Sequence, residues 1–136
     1  MEQFSKIFEK FILEKSYLYI VSTPIGNLGD LSLRSIKTLR DVDYILCEDT
    51  RVTKKILSKL KLKNKNLISY NDFNSKKKRP LIINNLLNKN INYALVSDAG
   101  TPLISDPGFK LVKECLDNDI KVTHIPGPTS VISGLI

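Results

Sequence analysis

The sequence predicts one α/β domain: a parallel five-stranded sheet with flanking helices. Five short apolar runs, rich in β-branched and aromatic residues, alternate with stretches that have helical periodicity. Repeated β–α units of this kind are typical of parallel sheets with right-handed crossovers. The chain has 136 residues, of which 42% are hydrophobic and 26% charged. That is enough for one compact core and too little for two full domains.

The predicted strands are nearly continuous in hydrophobicity, which indicates strands that are covered on both faces. They span Tyr17–Ser22, Tyr44–Cys47, Leu67–Tyr70, Tyr93–Ser97 and Lys121–Ile125.

The predicted helices carry apolar residues at the spacing of a core-facing stripe. Leu33, Ile36 and Leu39 form one such stripe, and Ile56, Leu57 and Leu60 form the next. Proline at the start of the third helix suits a first turn, where its missing N–H costs nothing. The four helices are predicted at Leu31–Leu39, Val52–Leu60, Pro80–Leu87 and Phe109–Leu116.

The two ends of the chain differ from the α/β domain, which we place at residues 17–136. Residues 1–16 are expected to be an N-terminal extension whose helix docks on the domain, although a partner or membrane contact would use the same pattern. One face of that helix would carry Phe4, Ile7, Phe8, Phe11 and Ile12. The segment Thr129–Ile136 starts a helix and stops without a cap or polar tail. We therefore expect that a C-terminal domain is absent from this chain.

Composition excludes several classes of protein. The longest uncharged run, Val122–Ile136, is too short to span a bilayer, and charges interrupt the N-terminus where a signal peptide would be apolar. We therefore expect a soluble, cytoplasmic protein that makes no membrane contact. Cys47 and Cys115 set no disulfide framework and lack metal-ligand spacing, so buried thiols and no metal site are expected.

The net charge of +7 is unevenly distributed. Arg51 to Arg79 holds eleven Lys or Arg and one acid, Asp72, which gives +10; the remaining ten bases and thirteen acids give −3. Clustered cations are typical of proteins that bind a phosphate backbone. A solvated, lysine-rich surface is an equally good interpretation of the charge alone.

Three polar loops follow predicted strands, at the sheet edge where open α/β proteins bind ligands. In Ser22–Asp30, two glycines allow close backbone approach, but neither a dinucleotide fingerprint nor a Walker A pattern is present. Glu48–Arg51 offers two acids that suit a ribose hydroxyl, or else a helix cap with Arg51 paired to Glu48. In Ser97–Gly108, a rigid backbone can hold a polar ligand, and Asp106 is expected to cap the next helix.

The single histidine, His124, lies within the fifth predicted strand. A catalytic triad would need it at a strand end, and a metal site would need companions. We therefore predict a core or edge histidine.

Four ordered motifs make a resemblance specific. They are Leu18–Asp30, Glu48–Arg51, Ala94–Gly108 and Pro126-Gly127-Pro128. Over about Tyr17 to Ile136 the chain resembles the N-terminal domain of the ribosomal RNA small subunit methyltransferase I family, within the tetrapyrrole methylase superfamily. The absence of a glycine fingerprint agrees with the cofactor site of that superfamily, which differs from the usual Rossmann one.

The resemblance implies transfer of a methyl group from S-adenosylmethionine to the ribose 2′-hydroxyl of a cytidine in the decoding region of small-subunit (16S) rRNA. It also implies two α/β domains with the cofactor between them, the 30S subunit as partner, and a homodimer. The cofactor-binding residues implied are Ser97, Asp98, Ala99, Gly100, Thr101, Pro102, Thr129 and Ser130. The residues expected to face RNA are Pro24, Gly26, Asn27, Arg51, Lys76, Lys77, Lys78 and Arg79. Glu48 and Asp49 are the candidate catalytic carboxylates, which would accept the hydroxyl proton.

Two departures from the family matter. The stretch Asn71-Asp72-Phe73-Asn74 replaces one in which the family carries histidines. A cleft with one wall holds little ligand, so we expect the 136-residue chain by itself to be inactive. The alternatives are a small-molecule tetrapyrrole methylase, a noncatalytic RNA-binding remnant, and a misfolding-prone fragment without function.

Overall fold

A computed structural model describes residues 6, 12–100, 102 and 108–127. The predicted fold class is confirmed: five parallel strands form one sheet in the order β3-β2-β4-β1-β5. The strands are β1 (Tyr17–Val21), β2 (Tyr44–Cys47), β3 (Leu67–Ser69), β4 (Tyr93–Leu95) and β5 (Lys121–Ile125). The helices are α1 (Leu33–Asp41), α2 (Thr50–Lys59), α3 (Ser75–Asn88) and α4 (Gly108–Asp117), and Leu28–Asp30 forms a 3-10 turn.

The sheet separates two apolar cores. Alternate side chains of β1 divide between them, Leu18 and Ile20 on one side and Tyr19 and Val21 on the other. One core includes buried side chains of α3 and α4, and the other includes buried side chains of α1 and α2. Both faces of the sheet are therefore covered, which explains why the three central strands, β1, β2 and β4, are apolar along their length.

The helices change face where the chain reverses direction across the sheet. From β1 the chain moves through β2 to the edge strand β3, and from there it returns through β4 to the opposite edge at β5. Right-handed crossovers require the helices of the outward and return paths to lie on opposite faces. Loops after β1 and β2 consequently run to one face and loops after β3 and β4 to the other. In open α/β sheets, ligands bind at the carboxyl edge where the loops diverge in this way.

Capping residues correct two of the predicted helix starts. Ser32 caps α1, since its hydroxyl accepts a hydrogen bond from Ser35 N at 3.0 Å, so the helix begins two residues later than predicted. Asp49 caps α2, so that helix begins at Thr50 rather than Val52.

The third helix corrects a larger error. It begins at Ser75, and Pro80 lies inside it instead of in its first turn. Proline at this position removes the hydrogen bond to the Lys76 carbonyl. Because Lys76 and Pro80 are both exposed, water can solvate that carbonyl.

Three strand ends and one apolar stripe also differ from prediction by small amounts. Ser22, Tyr70 and the pair Val96 and Ser97 lie beyond the strands, although Tyr70 N and Val96 N still donate to neighbouring strands. Leu33 does not face the core as predicted, because it is 37% exposed.

The two cysteines and the histidine match their predictions. Cys47 and Cys115 are both free and buried. Burial raises the pKa of the Cys115 thiol to about 12, so it stays protonated at neutral pH. His124 is exposed on β5, which is an edge strand.

The predicted N-terminal helix falls almost entirely outside the described residues, and so do Asp106 and the segment from Pro128 onward. Ile12 is described and is exposed. Within the described residues, none of the helices has the length and apolarity needed to cross a bilayer.

Candidate functional site

The loops after β1 and β4 are joined by a short backbone bridge. Thr23 N donates to Gly100 O at 2.9 Å, and Gly100 N donates to Thr23 O at 3.0 Å. The Thr23 hydroxyl donates to Ser97 O at 3.1 Å. Gly100 has a φ of +81°, a left-handed conformation that glycine adopts without strain. The predicted cofactor loop is thereby held against the first loop.

The predicted cofactor loop is also braced from within and from β2. The Ser97 hydroxyl donates to Ala99 O at 2.9 Å, which turns the chain sharply after β4. Asp98 Oδ1 accepts from Asp49 N at 3.3 Å, so one carboxylate links the loops after β4 and β2. Ser97 and Asp98 are half-buried and Ala99 is exposed, while Pro102 is buried. These residues therefore lie together, as the motif order predicts.

The two candidate catalytic carboxylates have different environments. Asp49 Oδ1 accepts from Arg51 N at 2.9 Å and from Arg51 Nε at 3.1 Å, and its Oδ2 accepts from Arg51 Nη2 at 2.9 Å. These hydrogen bonds lower the pKa of Asp49. The Arg51 partner is thus Asp49, and the alternative pairing with Glu48 is wrong.

Glu48 remains open to solvent but does not behave as an ordinary surface acid. Partial burial of its carboxyl, followed by the charges of Asp98 and Asp72, raises its pKa. The three acids come from the loops after β2, β4 and β3, so the raised pKa arises where three strand ends converge. A carboxylate with a raised pKa is the better proton acceptor of the two.

The residues expected to face RNA divide into exposed and half-buried groups. Arg51, Lys76 and Lys77 are exposed, and the Arg51 side chain is 86% accessible. Lys78 Nζ donates to Ser69 O at 2.6 Å, and Arg79 Nε donates to Glu114 Oε2 at 2.6 Å. The last two cations therefore anchor α3 to β3 and to α4.

In the first loop, Asn27 acts as a helix cap. Its Oδ1 accepts from Gly29 N at 2.8 Å and caps the 3-10 turn. Pro24 is buried, whereas Gly26 is exposed with a φ of +83° and open space where a Cβ would lie. Of the three RNA candidates in this loop, Gly26 and Asn27 are thus accessible at the edge.

The motif Pro126-Gly127-Pro128 contributes a close packing contact. A Cβ on Gly127 would lie 2.7 Å from Ser22 Cβ and 3.6 Å from the Ser22 carbonyl oxygen. Ser22 is fully buried at the end of β1. Only glycine lets the chain after β5 approach β1 this closely.

We expect Gly127→Ala to destabilise the fold by about 1–3 kcal/mol, because the new methyl overpacks against the buried Ser22. Its urea midpoint should fall below that of the wild type. Ser22→Gly removes the opposing Cβ, so the double variant should lose less stability than the sum of the single losses. Strictly additive losses would contradict this packing contact.

Sequence reasoning missed the role of Thr23 and left Phe73 only as a departure from the family. A threonine directly after a buried strand was the available signal for Thr23.

Three of the predicted cofactor residues, Thr101, Thr129 and Ser130, lie outside the described residues. In the part of the chain that the structure describes, no group of three or more His, Cys, Asp or Glu side chains is arranged to hold a metal ion.

The profile of one protein family, described as Tetrapyrrole (Corrin/Porphyrin) Methylases, matches residues 17–135. The chain belongs to the tetrapyrrole methylase family. The matched residues cover all five strands and the loops that follow them. A uroporphyrin-III-C-methyltransferase from Thermus thermophilus has the same fold, with a TM-score of 0.67 at 19% identity over 89% of this chain and 50% of that one.

Curated relatives with a higher sequence identity share a different name. Over 84% of its length the chain is 55% identical to the Ribosomal RNA small subunit methyltransferase I of Mesomycoplasma conjunctivae, and it covers 48% of that relative. It is 51% identical to the protein of the same name from Thermotoga maritima, over 87% of this chain and 52% of that one. The chain thus spans about half the length of the curated relatives it matches.

Proposed function

We propose that this tetrapyrrole methylase chain forms one wall of an S-adenosylmethionine-dependent methyl-transfer site that acts on the ribose 2′-hydroxyl of a cytidine in small-subunit rRNA. Within that rRNA, we propose a cytidine in the decoding region. The observation that carries the proposal is the convergence of Glu48, Asp98 and Asp72 beside exposed cations. The names of the relatives at 51% and 55% identity support rRNA as the substrate.

The loop after β4 fits one side of the cofactor. A carboxylate at a strand end is the common partner of a ribose diol in α/β proteins, and Asp98 occupies that place. Gly100, in its left-handed conformation, keeps the backbone free of a side chain next to Asp98. We therefore assign the cofactor to Asp98 and to the backbone of 97–100. When bound, S-adenosylmethionine supplies an electrophilic methyl group on a sulfonium centre.

Glu48 would take the proton of the 2′-hydroxyl as the oxygen forms its bond to the methyl carbon. Its exposure lets a ribose reach it, and its raised pKa brings its proton affinity closer to that of a useful base. Asp49 would serve as a positioning residue: it caps α2, and its backbone N–H holds Asp98. Most of the rate gain would come from alignment of the two reactants.

The exposed cations would hold the RNA without reading its sequence. Arg51 lies at the start of α2, and Lys76 and Lys77 lie at the start of α3. The starts of both helices are at the carboxyl edge of the sheet. Phosphate contacts of this kind supply affinity and register. Lys78 and Arg79, which are half-buried as well as bonded within the protein, would contribute long-range charge rather than direct contacts.

The proposal is tested with a chimera in which this chain is joined to the C-terminal half of the Mesomycoplasma conjunctivae relative. The unmodified relative is the positive control. With labelled S-adenosylmethionine and small ribosomal subunits, we expect the folded chimera to place label on a cytidine 2′-oxygen and the 136-residue chain alone to transfer none. A folded chimera that neither binds S-adenosylmethionine in calorimetry nor transfers label would overturn the proposal.

Noncatalytic RNA binding is the second candidate function. The exposed side chains of Arg51, Lys76 and Lys77 favour it, since phosphate contacts do not need the second wall of a cleft. Salt-sensitive RNA affinity in a chimera that binds no S-adenosylmethionine would select this function over methyl transfer.

A further inference from the structure

Phe73 is 99% exposed, the most exposed large apolar side chain among the described residues. Single exposed apolar residues are ordinary on protein surfaces, so exposure alone indicates nothing. The surroundings of this ring are what distinguish it.

The loop that carries Phe73 is held rigidly by side-chain hydrogen bonds. Asn71 Oδ1 accepts from Phe73 N at 3.0 Å and from Asn74 N at 3.2 Å, while Asn74 Oδ1 accepts from Asn71 N at 2.9 Å. Both asparagine side chains also donate to the Ser69 hydroxyl, at 3.2 and 3.3 Å. These hydrogen bonds hold the backbone at Phe73, so the loop needs little further ordering when a ligand contacts the ring, which lowers the entropic cost of binding.

Two exposed lysines follow the ring in the sequence, three and four positions later. Lys76 and Lys77 are exposed in the first turn of α3. Lys78 donates to Ser69 O, which ties the start of the helix to the same residue that braces the loop. An aromatic face beside positive charges suits a strand with stacking bases and negative phosphates.

The loop also lies beside the loop of the proposed proton acceptor, because β2 and β3 are neighbouring strands and Tyr70 N donates to Cys47 O at 2.7 Å. Asp72, which precedes the ring, contributes to the raised pKa of Glu48. A base on Phe73 would therefore belong to a nucleotide close to the one that is methylated.

We propose that Phe73 is a stacking platform for a nucleobase of single-stranded RNA, with Lys76 and Lys77 on the adjoining phosphates. The inference rests on the RNA part of the proposed function and adds to it a residue that contacts a base. Unpaired bases splayed onto aromatic side chains are a general mode of single-strand recognition.

The first test uses fluorescence of the 136-residue chain, which contains no tryptophan. Phe73→Trp introduces a single indole at the proposed platform. Leu81→Trp, at a position on α3 that is 61% exposed, is the matched control. A single-stranded oligoribonucleotide should quench the indole at position 73 and leave that at position 81 nearly unchanged.

The second test compares affinities for the same oligoribonucleotide. Phe73→Leu keeps an apolar side chain and removes the aromatic face, so binding should weaken roughly five- to hundredfold. Phe73→Tyr keeps the face and should stay within about twofold of the wild type. Circular dichroism should show all variants folded, because the ring makes no buried contact.

The outcomes separate the two proposals. Salt-sensitive RNA binding in which Phe73→Leu has no effect and the indole at position 73 is not quenched would overturn the stacking platform and leave the RNA function intact. Absence of RNA binding at low ionic strength would overturn both. A blue shift at position 73 that depends on protein concentration without RNA would assign the ring to a protein contact and also overturn the platform.

Discussion

Glu48→Gln is expected to lower methyl transfer by the chimera about 10²- to 10⁴-fold, because glutamine cannot accept the proton of the attacking hydroxyl. Affinity for S-adenosylmethionine should change little, since the cofactor is assigned to Asp98 and its loop. The measurement is single-turnover transfer of label at saturating cofactor. Equal rates for the variant and the parent would remove Glu48 from the mechanism.

The pH dependence gives an independent check on Glu48. Its pKa is raised, so its charged form is lost at a higher pH than that of an ordinary glutamate, and transfer should fall as the pH drops through that raised value. A raised pKa in the folded state means that folding favours the protonated form. At neutral pH, Glu48→Gln should therefore leave the urea midpoint unchanged or slightly higher, which a merely structural carboxylate would not do.

Asp49→Asn distinguishes the two neighbouring acids. Asparagine is also a good N-cap, so α2 should persist although the ion pair with Arg51 is lost. If Glu48 is the acceptor, Asp49→Asn should cost much less activity than Glu48→Gln. A larger loss from Asp49→Asn would reverse the two assignments.

Leu111→Ala is expected to lower the free energy of unfolding by about 2–5 kcal/mol, because it leaves a cavity where α4 packs on the sheet. Leu111 is fully buried, and its neighbours in the core include Leu18 and Tyr93. The measurement is the urea midpoint of the 136-residue chain. A loss of this size is a large part of the stability of a small domain.

The matched control is Leu116→Ala, the same substitution five residues later on the same helix. Leu116 is 59% exposed, so its removal should change stability by no more than about 0.5 kcal/mol. Equal losses from the two variants would contradict the placement of α4 on the sheet.

The sheet and its helices could be predicted because hydrophobic patterning reports burial directly. The strand β2 matches its prediction to the residue, and so does β5. Helix starts were less predictable, since a capping side chain decides them. Because Ser32 is the cap, α1 begins at Leu33. The helix α3 begins at Ser75, whereas the preference of proline for a first turn had predicted a start at Pro80.

The site could be predicted as a set of loops but not as a set of roles. Glu48, Asp49 and Asp98 were predicted at the same sheet edge, because each follows a strand of a parallel sheet. Which acid pairs with Arg51 depends on the turn into α2, and the pKa of Glu48 depends on loops from two other strands. Likewise, the runs of lysine look uniform in the sequence, whereas Lys78 is bonded internally and Lys76 is exposed.

The fold class, the buried thiols and the family resemblance could all be predicted from the sequence, because hydrophobic patterns and the order of motifs are visible along the chain. Tertiary structure alone decided the Thr23–Gly100 bridge, the tight contact of Gly127 with Ser22, and the outward position of Phe73. The first two are contacts between segments that follow different strands, and the third depends on which segments pack around the loop after β3. Distances of that kind are set by how the sheet brings its loops together, and local propensity carries no information about them.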